Sequence, residues 1–355
     1  MTMIPLEYGP LVWDLHERAA RVRQPVDGCF ELTSACNLSC RMCYVKQPGS
    51  VRRTRKELTA EQWVNLARQA KAKGLLFLLL TGGEILLRKD FFDIYEPLTR
   101  MGLITTLFTN GTLITPAIAE RLAKSPPNRM EITLYGATEA SYETITDTPG
   151  GFAECCAGIE ALVAKGIPLG LKTTITRYNV AELDAMRKMA HGWGLPFSGA
   201  WMISERPDGQ KSEAGDCRLS AAECVELEAT DKASATEMRE VAIAGGAPER
   251  KNNFYCKAGK ATFVINPYGD MNACLLLPEP AARPAETGFE AAWEELGRYV
   301  DSANEPSLSC RSCDARAYCG SCPAWSLIET GTLTEPSPSW CAIARARKER
   351  YAQTA

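Results

Sequence analysis

Between residues 29 and 203, short apolar runs alternate with amphipathic segments. Residues 29–33 (Cys-Phe-Glu-Leu-Thr) predict a strand, with Cys29 in its core. Thr59 and Gln62 set up a helix-opening capping box, and Trp63, Leu66, Ala67 and Ala70 recur at helical spacing before a stop at Gly74. Residues 75–80 are a continuous apolar run, which predicts a strand buried on both faces of a parallel sheet. A helix over 90–101 and a strand over 104–109 follow. Thr115-Pro116 opens another helix, with Ile118 and Leu122 on one face. Residues 130–135 predict a strand. The helix over 152–165 carries Phe152, Cys155, Cys156, Ile159, Leu162 and Val163 on one stripe, so its two cysteines read as small hydrophobes. A strand over 169–176 precedes a helix capped by Asn179 with Glu182, whose Leu183, Met186 and Ala190 share a face. The last strand covers 196–203.

Six strands alternating with helices predict a parallel α/β architecture with reactive loops at the strand C-termini. Residues 1–28 form an N-terminal extension in which Leu11 and Trp13 can pack on the body. The stretch 47–57 is basic (Arg52, Arg53, Arg55, Lys56) and reads as a solvated loop. Past residue 204 the pattern changes. Residues 205–217 are polar, a helix opens at Ser220 with Glu223, and 229–253 is charged and Ala/Gly-rich, as expected of a mobile bridge. Residues 263–274 read as a β-hairpin turning at 267–270, and the tail from Cys341 as a basic surface helix (Arg345, Arg347, Lys348, Arg350). The divisions expected are therefore 1–28, 29–204, a bridge over 205–253, and a small cysteine-rich α+β unit over 254–355.

The chain has 355 residues, 45 % of them apolar, enough for a full core. A net charge of −3 gives no basic footprint for nucleic acid. With only two histidines, His16 and His191, His-centred triads and His-rich metal sites are disfavoured. No signal peptide opens the chain, and the run over 75–80 is too short to span a bilayer. Fifteen cysteines without secretion point to metal or cluster binding in a reducing cytoplasm.

The chemistry centres on Ser34-Ala-Cys36-Asn-Leu-Ser-Cys40-Arg-Met-Cys43-Tyr44. Three thiolates at C-x3-C-x2-C can hold three irons of a [4Fe–4S] cube and leave the fourth open. Structural zinc wants four ligands, and no fourth Cys or His lies close by. Cys36, Cys40 and Cys43 resemble the signature of the radical S-adenosylmethionine (radical SAM) superfamily, although Met42 stands where an aromatic residue is common. The resemblance implies a partial (β/α)6 TIM-type barrel. It also implies that the amine and carboxylate of SAM chelate the open iron, and that one electron cleaves SAM to a 5′-deoxyadenosyl radical that takes hydrogen from substrate. Gly82-Gly83-Glu84, after the apolar run, resembles the family's GGE motif, which contacts the methionyl amine; Ile85 replaces the usual proline. Thr133 matches a position that reaches the ribose. Asn110 and Lys172 are candidates for the ribose and the carboxylate, and all three residues also have ordinary turn or strand readings.

A second cysteine group lies C-terminal: Cys256, then Gly269-x4-Cys274, Cys310-x2-Cys313-x5-Cys319-x2-Cys322, and Cys341. Zinc ribbons suit paired C-x2-C on their own. Beside the first loop the pattern resembles the SPASM domain, with x2 rather than x3 between Cys319 and Cys322. That resemblance implies two auxiliary [4Fe–4S] clusters, making three in all. Cys256, Cys274 and Cys322 would hold the first; Cys310, Cys313, Cys319 and Cys341 the second. The first then has three cysteines. Cys217 or Cys224 supplies a fourth, or one iron faces substrate.

Proteins with this combination mostly modify peptides. The expectation is an enzyme that matures a ribosomal peptide by a C–S or C–C crosslink or by epimerisation, with a flavodoxin or ferredoxin as electron donor. Residues 1–28 are too short for a winged-helix leader-binding domain, so leader recognition must come from the barrel and bridge or from a separate leader-binding protein; no nucleic acid or membrane partner is expected. Sulfatase-type oxidation is disfavoured because Leu275-Leu276-Leu277, not an acid, follows Cys274. A small-molecule dehydrogenase or epimerase is a further alternative. From another class comes a non-catalytic iron–sulfur or zinc protein, which has no need of the Gly82–Glu84 turn.

Overall fold

The computed structural model describes residues 8–45, 55–210, 212–244, 254, 256–302 and 307–352. Six strands appear in chain order: β1 (Asp27–Glu31), β2 (Phe77–Thr81), β3 (Ile104–Thr109), β4 (Arg129–Thr133), β5 (Leu169–Thr174) and β6 (Phe197–Ala200). They lie side by side in sequence order and are parallel throughout. Helices Ala60–Ala72, Phe91–Arg100, Pro116–Lys124, Gly151–Val163 and Leu183–Gly192 join them. The expected parallel α/β architecture is present.

Local chemistry sets the helix starts. Thr59 Oγ1 accepts from Gln62 N while Gln62 Oε1 accepts from Thr59 N, and Trp63, Leu66, Ala67 and Ala70 are the buried face. Ser220 and Glu223 make the same reciprocal box. The Asn179 cap is a correction. Its Oδ1 accepts from Thr176 N and its Nδ2 donates to Tyr135 O, so it ties the ends of two strands together and caps no helix. The apolar run is a second correction. Leu78 and Leu80 are buried, but Phe77 and Leu79 are only half-buried. Phe77 stacks on His16 of helix Tyr8–Arg21. That helix seats on the sheet through Leu15, Ala19 and Ala20, not through Leu11 and Trp13, which are 46 % and 67 % exposed.

Three further expectations change. Residues Lys232–Ala244 of the expected mobile bridge are helical and pack Met238, Val241 and Ala242 around Tyr318 and Tyr351; 245–253 lie outside the described residues. The C-terminal helix Pro338–Ala352 is not a simple surface helix. Arg347 is largely buried, ion-paired to Glu228, and donates to Tyr318 O. Arg55 is not solvated: it makes a two-pronged contact with Asp270 at 2.7 and 2.8 Å and lies over the Tyr268 ring. Arg52 and Arg53 lie outside the described residues.

The hairpin over 263–274 forms as β7 (Thr262–Ile265) and β8 (Met271–Asn272). Its placement was not legible in the sequence. β7 pairs in parallel with β1, Cys29 opposite Val264, so the C-terminal region extends the sheet to eight strands, β6-β5-β4-β3-β2-β1-β7-β8.

Gly158 marks where a helix meets the site-bearing loops. A Cβ there would lie 2.1 Å from the Gly111 carbonyl, whereas at Gly192, at a helix end, it would meet nothing. Gly158→Ala should lower the unfolding free energy by about 1–3 kcal/mol, and Gly192→Ala should be neutral or raise it by up to about 1 kcal/mol. Urea denaturation of the two variants checks both.

Candidate active site

The site sits where the parallel strands end. Thr81, Thr109, Thr133 and Thr174, the last residues of β2 to β5, line one cavity of about 290 Å³. Cys36, Cys40 and Cys43 line it from the loop after β1, and Gly82 and Gly83 from the loop after β2. Asn110 and Lys172 line it too, so every sequence-predicted candidate for this site except Glu84 shares one space, although they come from five separate strands.

Backbone contacts hold the cysteine loop against the glycine turn. Gly83 N donates to Thr33 O at 2.7 Å and Glu84 N to Ala35 O at 2.8 Å. The approach leaves no room for side chains: a Cβ on Gly82 would lie 2.4 Å from Thr33 O, and one on Gly83 2.1 Å from Ala35 O. Gly82 also has a φ of +134°. Three other groups fix the loop. Glu57 accepts from Ser34 N and from the Thr33 and Ser34 hydroxyls. Asn110 Nδ2 donates to Asn37 Oδ1. The Tyr268 hydroxyl, on the hairpin turn, meets Ser34 Oγ at 2.9 Å.

Glu84 is placed otherwise than the motif suggests. Its side chain is fully buried and does not line the cavity. Oε1 accepts from Leu86 N and Thr109 Oγ1, and Oε2 from Asn110 N. Three of its acceptor positions join the β2 and β3 ends. The glycine backbone is the part of the motif that lines the cavity.

Lys172 Nζ is 3.3 Å from Glu131 Oε2 and lies over the Phe108 ring. Burial pulls its pKa down to about 8, against the opposite pull of Glu131. Two groups at the site escaped the sequence reading. Burial pushes the Glu31 carboxyl up to about 7 against a hydrogen bond with Tyr44, and its Oε1 is buried without a hydrogen-bond partner. Tyr44 in turn faces Glu31, Cys29, Cys43 and Cys274. An acid in the middle of Cys-Phe-Glu-Leu was the available signal.

The other cysteines fall into two sets. Cys310, Cys313, Cys319 and Cys341 line one small cavity together with Arg316 and Arg345. Cys274 faces Cys322 and Cys256. Cys217 packs with Met42 and Ile203, and Cys224 lines a different, aromatic cavity, so neither joins Cys274. Among the described residues, no three His, Cys, Asp or Glu side chains converge tightly enough for a single metal ion. A four-iron cube spreads its ligands over separate corners, and the three-thiol cavity, with no fourth thiol among its described lining residues, suits a cube with one open iron. Burial pushes the Cys40 thiol up to about 12 and Cys274 to about 11, so loading iron must displace protons.

The family model of the radical SAM superfamily matches residues 30–190. The chain carries a radical SAM domain. The chain is therefore an enzyme with a radical SAM domain, of a superfamily that uses SAM and a [4Fe–4S] cluster. The AdoMet-dependent heme synthase of Methanosarcina barkeri is 26 % identical over 333 residues, covering 87 % of this chain and 94 % of that protein. The mycofactocin maturase MftC of Mycobacterium tuberculosis is 26 % identical over 328 residues, covering 88 % and 82 %. The crystal structure of Streptococcus suis SuiB bound to precursor peptide SuiA superposes with a TM-score of 0.71 at 17 % identity, over 96 % of this chain and 84 % of that one. This likeness shows a shared fold over nearly the whole chain. Among the described residues, no helix is long and apolar enough to cross a membrane.

Gly83→Ala should push the cysteine loop off its seat. After identical anaerobic reconstitution it should carry about four fewer irons per chain than the parent protein, with its far-ultraviolet circular dichroism retained; iron analysis reads the difference.

Proposed function

We propose that this radical SAM enzyme modifies a peptide, abstracting hydrogen from a residue presented at the mouth of the barrel. The observation that carries the reading is the single cavity at the strand ends, where a three-cysteine loop, a bare glycine backbone and one lysine face each other. Similarity to a maturase over 88 % of the chain supports a peptide as substrate. When bound, the cluster and SAM together supply a one-electron reductive cleavage that yields methionine and a 5′-deoxyadenosyl radical. The chain's own residues do the positioning. Cys36, Cys40 and Cys43 ligate three irons, and the Gly82–Gly83 backbone borders the methionyl end of SAM. Lys172 takes the carboxylate, and Asn110 and Thr133 face the ribose.

Cys310, Cys313, Cys319 and Cys341 hold one auxiliary cluster. Cys256, Cys274 and Cys322 hold another, with an iron left for a substrate group. A flavodoxin or ferredoxin supplies the electron in the cytoplasm, and the leader of the precursor is bound by the barrel and bridge or by a separate protein. The second reading, a tetrapyrrole substrate, is favoured by the similarity to heme synthases, of which the chain covers 94 % in one case.

Anaerobic reconstitution should load about 12 irons per chain for three clusters. With dithionite and SAM it should release 5′-deoxyadenosine, and co-expression with the precursor peptide should change that peptide's mass by the loss of two hydrogens for a crosslink. No 5′-deoxyadenosine, or turnover of a tetrapyrrole alone, overturns the peptide reading.

The Lys172 assignment has its own pH signature. The lysine carries its charge below a pKa of about 8 and loses it above. SAM affinity should therefore hold up to about pH 8 and fall as pH rises further. Lys172→Met should weaken SAM binding by roughly tenfold to a hundredfold at pH 7, the size of a charge-assisted hydrogen bond, and flatten the profile. Equilibrium binding across pH 6.5–9.5 measures both.

A further inference from the structure

A row of charges runs along the inner face of the barrel and ends at the cavity. Arg129, Glu131 and Thr133 alternate along β4 with Met130 and Ile132, which are buried in the core. The alternation puts Arg129 and Glu131 on the same face as Thr133, which lines the cavity. Glu131 uses its two oxygens on two different cations. Oε1 lies 2.9 Å from Arg129 Nε, and Oε2 lies 3.3 Å from Lys172 Nζ. Lys172 lines the cavity, so it is the end of the row Arg129–Glu131–Lys172 that a ligand there would meet.

The strand register explains the reach. Glu131 stands opposite Gly170 on β5, and Thr133 opposite Lys172. Lys172 therefore meets Glu131 along the diagonal, a separation that a long side chain can span. A glycine inside a strand weakens it and often marks a close approach. Here a Cβ on Gly170 would lie 2.8 Å from Arg129 Nη2. The missing side chain is the room in which the guanidinium lies against β5 while its Nε reaches Glu131. Glu131 and Lys172 are largely shielded from solvent, and Arg129 is half-exposed.

Charge balance decides what the row does. A carboxylate paired with Lys172 alone would cancel the lysine's charge. Shared with Arg129, it leaves one net positive charge, and the lysine is at the cavity end. An ammonium has three N–H donors. Glu131 draws it from one side and the Phe108 ring lies beneath it. These two contacts set where its remaining donors stand. Burial opposes the ammonium most; Glu131 on β4 and Cys29 on β1 favour it, and Arg129 on β4 opposes it. We propose that Glu131, itself held by Arg129 in the space left by Gly170, is the residue that positions Lys172 for a carboxylate in the cavity. This rests on the reading of Lys172 as the partner of the SAM carboxylate and adds the residues that make it one.

Competitive labelling with trace acetic anhydride reads Lys172 directly. It is run on the anaerobic, cluster-loaded protein without SAM across pH 6.5–9.5, followed by mass spectrometry of the peptide carrying Lys172. Relative to pH 9.5, Glu131→Gln should raise labelling at pH 6.5 by about twofold to fivefold, and Arg129→Gln should lower it by about twofold, the range of a partly exposed ion pair. Gly170→Ala, which displaces the guanidinium, should act in the same direction as Arg129→Gln. Should Glu131→Gln fail to load iron, Glu131→Asp, which draws the charge back from Lys172, should give a smaller shift of the same sign. SAM affinity, normalised to pH 6.5, should fall off at lower pH in Glu131→Gln and at higher pH in Arg129→Gln. Neither difference should survive in a Lys172→Met background. Loss of packing alone would move both Gln variants the same way. Labelling unchanged by Glu131→Gln, or shifted in one direction by both Gln variants, overturns the proposal. Opposite labelling shifts with a SAM affinity that Lys172→Met does not change support the positioning of Lys172 by Glu131, while the SAM carboxylate reading falls.

Discussion

Two backbone hydrogen bonds, from Gly83 N and Glu84 N to the carbonyls of Thr33 and Ala35, are what the site depends on. They continue the pairing of β1 with β2 beyond the strands and carry the cysteine loop along the glycine turn. The contact is possible only because neither Gly82 nor Gly83 has a Cβ. Glu84 then extends the tie to β3 through Thr109 and the Asn110 amide, and Asn110 returns it to the loop at Asn37. Loop, turn and third strand therefore form a closed circuit of hydrogen bonds. A buried carboxylate at its centre accepts three donors, which offset part of a desolvation that still holds its pKa above the ordinary carboxylate value.

The same logic explains why the C-terminal region sits where it does. β7 pairs with β1, the strand that feeds the cysteine loop, and the turn after β7 puts Tyr268 on Ser34 and Asp270 on Arg55. The hairpin thus braces the loop from the side opposite the glycine turn. It also places Cys274 near Cys29, Glu31 and Tyr44, so a proton-holding carboxyl and a phenol lie between the first cysteine loop and the second cysteine set. A loop meant to hold three thiolates in fixed positions gains from bracing on both flanks, since any slack would spread the ligands.

What the sequence made legible was short in range. The capping boxes at Thr59 and Ser220, the helical stripe of Trp63 and Leu66, and the cysteine spacing over 36–43 are set by neighbours within a few residues. The six-strand succession followed from the same local patterns. Long-range pairings were hidden. Arg55 looked solvated because Asp270, its partner, lies 215 positions away. Arg347 looked like part of a surface helix because Glu228 lies 119 positions away. Helix Lys232–Ala244 looked like a mobile bridge because its buried side is diluted by alanines. The orientation of Glu84 was hidden for a different reason: sequence says that a carboxylate follows two glycines, but not which way it turns.

One pattern serves fold and site at once. Threonine closes β2, β3 and β4 at Thr81, Thr109 and Thr133, and Thr174 closes β5. A β-branched side chain suits the last position of a strand, where it packs against its neighbours on the pleated surface. A hydroxyl at the same position can donate or accept without carrying charge into a space bordered by three thiols, and Thr109 uses its own to hold Glu84. Valine would satisfy the strand and lose the hydroxyl; serine would keep the hydroxyl and weaken the strand. Threonine meets both demands, so four residues that look like ordinary strand formers in the sequence also line the cavity.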